Sequence, residues 1–263
     1  MRLSTLFPFT TILVLLAFCG VALAASIDCS GGECRGTEED DQMSGTSVRD
    51  EMYSLGGADT IQAKGGDDYV AAGDGDDVVF GKGGNDYLSG GDGQQHSQDG
   101  NNKLYGGSDD DGLFGGWGAD LMYGGDGDDQ MLGYFGKDTM YGGEGDDLLE
   151  GEDDCDYGEP NPDDTMYGGP GNDRLRPRSD DATVYGGDGD DTLDGRCRGV
   201  MSFHGGDGND TLIAADYYFG EDSDPPTPDY LNCGPGTADE VTYDKGIDRV
   251  RNCEIRHPRV GRL

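Results

Sequence analysis

The sequence predicts an all-β fold, a solenoid of short strands joined by glycine-rich turns and wound in coils of two repeat units. Three observations predict it. An acidic place recurs at a step of nine, through Asp41, Asp50, Asp59, Asp68, Asp77 and Asp86, and again through Asp111, Asp120, Asp129, Asp138 and Asp147. Two residues after that place stands an apolar residue, as in Met131, Met140 and Leu149. Ahead of it lie glycines, 50 of them in 263 residues, which permit turns with positive φ. Without the period, a formal charge of −37 and sparse aliphatic residues would read as disorder, since so little apolar surface cannot offset chain entropy. A fixed internal repeat outweighs composition as a guide to fold.

Residues 1–25 have the layout of a secretory signal: Arg2, an apolar run from Leu6 to Val21, and the small-x-small site Ala22-Leu23-Ala24. A retained anchor and a lipoprotein signal at Cys19 are the competing readings. Pro8 within the run counts against the first, and bulky Phe18 before Cys19 against the second. No other stretch is long enough to span a bilayer. Residues 26–35 read as an N-terminal cap segment, 36–213 as the repeats, and 214–263 as degenerate repeats with a C-terminal cap and basic tail.

The register is broken in a few places. Gln95 follows Asp86 at the expected step, and after a two-residue deletion the series resumes at Asn102. It runs on through Asp156, meets an irregular Pro-containing segment, and returns at Asp164, Asp173, Ala182 and Asp191. One residue is inserted before Asp210, and a looser version persists at Asp229, Asp239 and Asp248. Residues 151–163 form either one enlarged turn or a turn plus an extra unit. The apolar place confirms the alignment independently, with Met43, Met52, Ile61, Val70, Val79, Leu88, Leu104, Leu113, Met122, Met166, Leu175, Val184, Leu193 and Leu212. Leu231, Val241 and Val250 extend it.

Each unit reads as a turn followed by three strand residues that point out, in, out. One apolar side chain per unit therefore points inward, and only stacking gives it a continuous core. Residues eighteen apart then share one edge in adjacent coils, about 4.8 Å apart. This sets Asp59 over Asp77, Asp68 over Asp86, Asp111 over Asp129, Asp120 over Asp138, Asp129 over Asp147, and Asp173 over Asp191. Stacked carboxylates repel, and a hard divalent cation resolves the conflict. Ca²⁺ suits carboxylates and exposed carbonyls; Mg²⁺ demands a tighter octahedron; Zn²⁺ would want Cys or His, which the turns lack.

Units such as Gly124-Gly125-Asp126-Gly127-Asp128-Asp129-Gln130-Met131 and Gly205-Gly206-Asp207-Gly208-Asn209-Asp210-Thr211-Leu212 resemble the repeats-in-toxin, or haemolysin-type, calcium-binding nonapeptide repeat GGxGxDxUx. The resemblance spans residues 36–213, is weak from Gly36 to Tyr53, and continues loosely over 229–251. It implies a parallel β-roll, a right-handed β-solenoid, with several Ca²⁺ ions held in the turns. It implies ligation by the sixth-place carboxylates of Asp59, Asp68, Asp77, Asp86, Asp111, Asp120, Asp129, Asp138, Asp147, Asp173, Asp191 and Asp210. It implies carbonyl ligands in the same turns, from Gly73, Gly75, Gly125, Gly127, Gly143, Gly145, Gly187, Gly189, Gly206 and Gly208. Gln95, Asn102 and Ala182 should mark weakened or absent sites. Many members carry a large toxin or enzyme domain and a C-terminal export signal. This chain has an N-terminal signal instead, which suggests a stand-alone repeat protein exported by the general pathway.

Outside the signal, six cysteines remain, an even number suited to an exported chain. Cys233 and Cys253, two degenerate units apart, should meet on one edge in neighbouring coils. Cys29 and Cys34 would close a small loop. Cys155 and Cys197 are left over, and share an edge only if 151–163 is one enlarged turn. Tyr105, Tyr123 and Tyr141, with Tyr167 and Tyr185 under the same condition, occupy the outward ninth place. They read as a stacked ladder, or alternatively as an aromatic strip for a surface ligand such as carbohydrate.

The basic tail, with Lys245, Arg249, Arg251, Arg256, Arg259 and Arg262, reads as a cap, or as a contact to anionic wall polymer or membrane. The acidic body disfavours nucleic acid. No HExxH or GxSxG motif occurs, and His96, Ser97 and Asp99 read as a solvated loop rather than a triad. The predicted function is a secreted calcium-ion-binding β-roll that folds on Ca²⁺ binding after export and acts as a structural or surface-interaction module, without stable membrane insertion. The alternative is an exported polysaccharide-active enzyme with its site on the roll.

Overall fold

The computed structural model describes residues 25–91, 99–151, 163–178, 181–195, 199–214, 228–244 and 247–259. It is all-β: two parallel sheets of twelve strands each, with successive strands alternating between them. The first sheet runs from Ala25–Asp28 to Arg249–Arg251, the second from Gly32–Arg35 to Ile255–Arg259. Each coil of this β-roll therefore adds one strand to each sheet, as a two-unit coil requires. The strands outrun the three residues the pattern assigns. Gln130–Phe135 continues from its own unit into the first three places of the next.

The register follows the stacking spacing. Leu113 pairs with Met131 and Met131 with Leu149 in the second sheet, and Met122 pairs with Met140 in the first. These side chains, and their equivalents from Met43 to Val241, are buried to 2% exposure or less and form a single thin core. Burying a side chain of this size stabilises by roughly 1.5–3 kcal/mol. With one such residue per unit, no unit holds together without its neighbours.

The structure corrects two register assignments. Asp77 donates its backbone N–H to Asn102 and Asp86 to Asp111, in each case 25 residues on. Asn102 is thus the next unit after Asp86. Gln95 falls in 92–98, outside the described residues. Likewise Asp138 donates to Asp164 and Asp147 to Asp173, each 26 residues on. Asp164 therefore stands one coil after Asp138, as the enlarged-turn reading requires, and Asp156 lies outside the described residues. A shift by one unit would move every stacked turn to the opposite edge, so side-chain identity at a single place cannot decide the register.

The pattern also missed a unit. Ala182 pairs with Met201 and Val184 with Phe203, so Met201 holds an acidic place and fully buried Phe203 an apolar one. Residues 25–35 supply the first strand of each sheet, paired with Asp41–Ser44 and Asp50–Gly56. The disulfides Cys29–Cys34 and Cys233–Cys253 are both formed. Cys155, Cys197, His96, Ser97 and the signal segment 1–24 lie outside the described residues. No helix among the described residues is long and apolar enough to cross a membrane.

Candidate metal centre

The turns lie along two edges. One carries the chain from the first sheet to the second and holds Asp68, Asp86, Asp111, Asp129, Asp147, Asp173, Asp191 and Asp210. The other returns it and holds Asp59, Asp77, Asp120 and Asp138. Every one of these sixth-place carboxylates is almost completely buried, between 0 and 4% exposed.

The two oxygens of each carboxyl have different surroundings. Oδ1 accepts the backbone N–H of the sixth-place residue one coil earlier. Asp111 N–H donates to Asp129, and Asp129 N–H to Asp147, both at 2.8 Å. This ladder is unbroken on the first edge from Asp50 through Asp239 to Glu254. On the second edge it runs from Asp41 to Asp164 and resumes where Met201 donates to Asp229. Ala182 and Met201 leave the gap, as the missing carboxylate at Ala182 predicts.

Oδ2, by contrast, is buried without a hydrogen-bond partner in eleven of the twelve predicted aspartates, all but Asp111, and in Asp239. Where the first place is glycine, Oδ2 is aimed at it and, in most of these turns, at the first carbonyl of the next coil. A Cβ on Gly124 would meet Asp129 Oδ2 and lie 2.5 Å from Gly142 O. The second and fourth places are glycine for a related reason. Gly143 and Gly145 have φ of 128° and 131°, and a Cβ on either would overlap the carbonyl of Gly125 or Gly127 in the coil before. The predicted carbonyls thus line up along the roll axis beside the carboxylates.

Burial weakens these acids strongly. It pushes Asp77, Asp120 and Asp191 up to about 8, Asp86, Asp111, Asp138 and Asp147 to about 7, and Asp68, Asp129, Asp173 and Asp210 to about 6. The ladder N–H opposes that rise, and neighbouring carboxylates in most turns add to it. A buried anionic oxygen without a donor needs a proton or a cation.

The donors fit Ca²⁺. Among the described residues no three His, Cys, Asp or Glu side chains converge, so the oxygens available are one carboxylate and several main-chain carbonyls per turn. These are the hard, irregularly disposed donors that Ca²⁺ accepts and Zn²⁺ does not. The predicted aspartates and glycines are all brought to such turns. The turn from Gly73 to Asp77 lies on the second edge, and the turns containing Gly125, Gly143, Gly187 and Gly206 lie on the first.

Sequence reasoning missed a second ladder. At the fifth place the direction reverses: Asp128 N–H donates to Asp110 Oδ1, Asp146 to Asp128, Asn172 to Asp146, and Asp190 to Asn172. Alternation of Asp and Asn at Asp110, Asp128, Asp146, Asn172, Asp190 and Asn209 was the available signal. Both side chains can accept from a main-chain amide.

The ring ladder is formed. Tyr105, Tyr123, Tyr141, Tyr167 and Tyr185 stack with centroids 4.7–5.2 Å apart and planes within 4°. Phe80 and His204 extend it at either end.

A parallel β-roll with buried carboxylates and carbonyls facing each other in most of its described turns is a calcium-binding repeat architecture. The model of the RTX calcium-binding nonapeptide repeat matches residues 35–70, 62–94, 96–131, 123–157, 163–175, 179–196 and 202–218, and the chain belongs to that family. No curated protein matches the chain.

Proposed function

We propose that the protein is a secreted calcium-dependent β-roll, folded by the ions its turns take up and serving as a structural or surface-interaction module. One observation carries this reading: the row of buried Oδ2 atoms that lack any donor along both edges. Asp59, Asp68, Asp77, Asp86, Asp111, Asp120, Asp129, Asp138, Asp147, Asp173, Asp191 and Asp210 would hold the ions together with turn carbonyls. Bound Ca²⁺ supplies positive charge between coils, and the N–H ladder and glycine turns fix where that charge sits. Extracellular Ca²⁺ at millimolar levels suits sites of this weak, modular kind. In its absence, repulsion and desolvation oppose closure of the roll.

The stacked tyrosines support a structural role for that face. Each inner ring has both faces covered by its neighbours, so a sugar finds no open ring to lie against. The test is a far-UV circular dichroism titration of the full chain from chelator into Ca²⁺, with isothermal calorimetry counting the ions. Conversion from a disordered to a β spectrum is expected. A β-rich spectrum in chelator that Ca²⁺ leaves unchanged would overturn the reading.

A further inference from the structure

We propose that the first coils, residues 25–64, fold without calcium and act as the template on which the metal-dependent coils assemble. This rests on the reading that the later turns take Ca²⁺. The inference comes from side chains that fill, in the first turns only, the place left donorless in the turns that follow.

In the turn Gly36–Asp41, Asp41 Oδ2 accepts the backbone N–H of Thr37 at 2.6 Å and its hydroxyl at 3.1 Å. In the turn Gly45–Asp50, Asp50 Oδ2 accepts the same pair from Thr46 at 2.6 and 3.0 Å. These are the Oδ2 atoms aimed at the cradle, since a Cβ on Gly36 or Gly45 would lie 2.7 or 2.9 Å from them. In the turns of Asp59, Asp68, Asp77, Asp86, Asp120, Asp129, Asp138, Asp147, Asp173, Asp191 and Asp210 the second place is Gly, Leu, Lys or Tyr, none with a hydroxyl on Cβ, and Oδ2 has no hydrogen-bond partner. The other oxygens of Asp41 and Asp50, their Oδ1 atoms, lie on the side of the preceding coil and have no partner. They mark the end of the ladder rather than the cradle.

A built-in cation lies at the junction with the first coil. Lys64 Nζ donates to the Gly45 carbonyl at 2.7 Å, the first-place carbonyl on the side of the preceding coil, while Ala63 O is the carbonyl beside Asp50 Oδ2. Lys64 holds φ at 86°, in a place that later turns mostly give to glycine. A lysine kept in that strained region points to a role for its side chain. Lys82 also has positive φ, yet its ammonium lies over the Phe80 ring at 4.9 Å, so lysine at this place does not reach a carbonyl by default. The Cys29–Cys34 disulfide closes the first turn, and Cys34 joins the core with Met43, Met52 and Ile61. A segment this short needs such a staple to hold a core. The stretch from Gly36 to Tyr53, where the calcium repeat is least recognisable, is therefore the stretch that carries its own donors.

The test is hydrogen exchange by mass spectrometry on the full oxidised chain, in chelator and in Ca²⁺. In chelator, amides of residues 41–63 should exchange at least about tenfold more slowly than unfolded chain, while residues 103–213 exchange at the unfolded rate. In Ca²⁺ both regions should be protected. The variants Lys64→Gly and Thr46→Val should lose the chelator-resistant protection and recover it in Ca²⁺. Residues 41–63 exchanging freely in chelator would overturn the proposal while leaving the calcium reading intact. So would Lys64→Gly and Thr46→Val both keeping full protection in chelator. Protection of the whole chain in chelator would instead sink the calcium reading itself.

Discussion

Exchanging Asp129 for Asn separates charge from shape at one turn. Asp129 is 2% exposed, accepts the Asp111 N–H at 2.8 Å through Oδ1, and leaves Oδ2 without a donor. Asn102 shows what a carboxamide does in that place. Its Oδ1 accepts the Asp77 N–H at 3.0 Å, and its Nδ2 donates to Gly115 O at 3.3 Å. Asp129→Asn therefore keeps the ladder and offers the corresponding carbonyl, Gly142 O, a donor, while deleting one anionic oxygen from the cradle. For a site with a dissociation constant of roughly 0.1–1 mM, occupancy at about 10 mM Ca²⁺ stabilises by about 1.4–2.7 kcal/mol. Loss of that term should lower the Tm in Ca²⁺ by about 3–11 °C. In chelator at pH 8 the variant should be as structured as the parent or more so, because a buried charge has been removed. Thermal melts by circular dichroism in both conditions give the answer. An unchanged Tm in Ca²⁺, or a loss of structure in chelator exceeding the loss in Ca²⁺, would refute the assignment of Asp129 to a cation site.

Acidification should substitute partly for calcium. Burial holds the folded carboxyls near 6 to 8, against about 3.9 for an unfolded Asp, so the metal-free roll is favoured at low pH and loses stability as pH rises from about 4 to about 8. In chelator, β signal should grow from pH 8 to pH 5, and Ca²⁺ uptake near pH 7 should release protons in a pH-stat; a flat profile counts against the burial argument. Gly143→Ala should cost about 1–3 kcal/mol from its φ of 128° alone, with further loss from overlap on Gly125 O. Gly65→Ala, whose Cβ would meet nothing nearer than Gly83 O at 3.6 Å, should be close to neutral in the same denaturation assay. Leu149→Ala, at 0% exposure between Met131 and Leu175, should cost about 2–5 kcal/mol; Leu148→Ala on the outer face should cost far less, and equal losses would place the core wrongly.

The period of nine was enough to assign inward residues, paired strands and stacked carboxylates, because each of these depends on spacing and not on particular contacts. Met131 lies between Leu113 and Leu149, and Asp129 between Asp111 and Asp147, as spacing alone requires. Phase across an interruption was not legible. Gln95 and Asp156 stand at the expected step, yet the backbone closes onto Asn102 and Asp164, and only the pairing of whole strands decides this. The unit at Met201 was hidden because Met replaces the acid and His204 the tyrosine, even though Phe203 keeps the core place. Nor could the sequence show that Thr37 and Thr46 replace something. Their meaning depends on which oxygen of a carboxylate they reach.

The two edges, equivalent in the repeat, are unequal in the fold. Residues 92–98, 152–162, 179–180, 196–198, 215–227 and 245–246 all connect the second sheet back to the first. The opposite edge carries an unbroken carboxylate ladder from Asp50 to Glu254. A physical reason follows from stacking. Every turn must present its sixth-place N–H to the turn above, so an enlarged turn weakens two junctions at once. Placing the longest insertions and the Ala182 and Met201 substitutions on one edge leaves the other, whose turns change length only near Asp239 and Glu254, to set the register of both sheets. The inner rings from Phe80 to His204 serve the same end, since displacement of one strand by a residue would unstack two rings and turn a buried methionine or leucine outward. Variation in such a chain is thus greatest on the return edge, while the outgoing edge keeps a sixth-place carboxylate from Asp50 to Glu254.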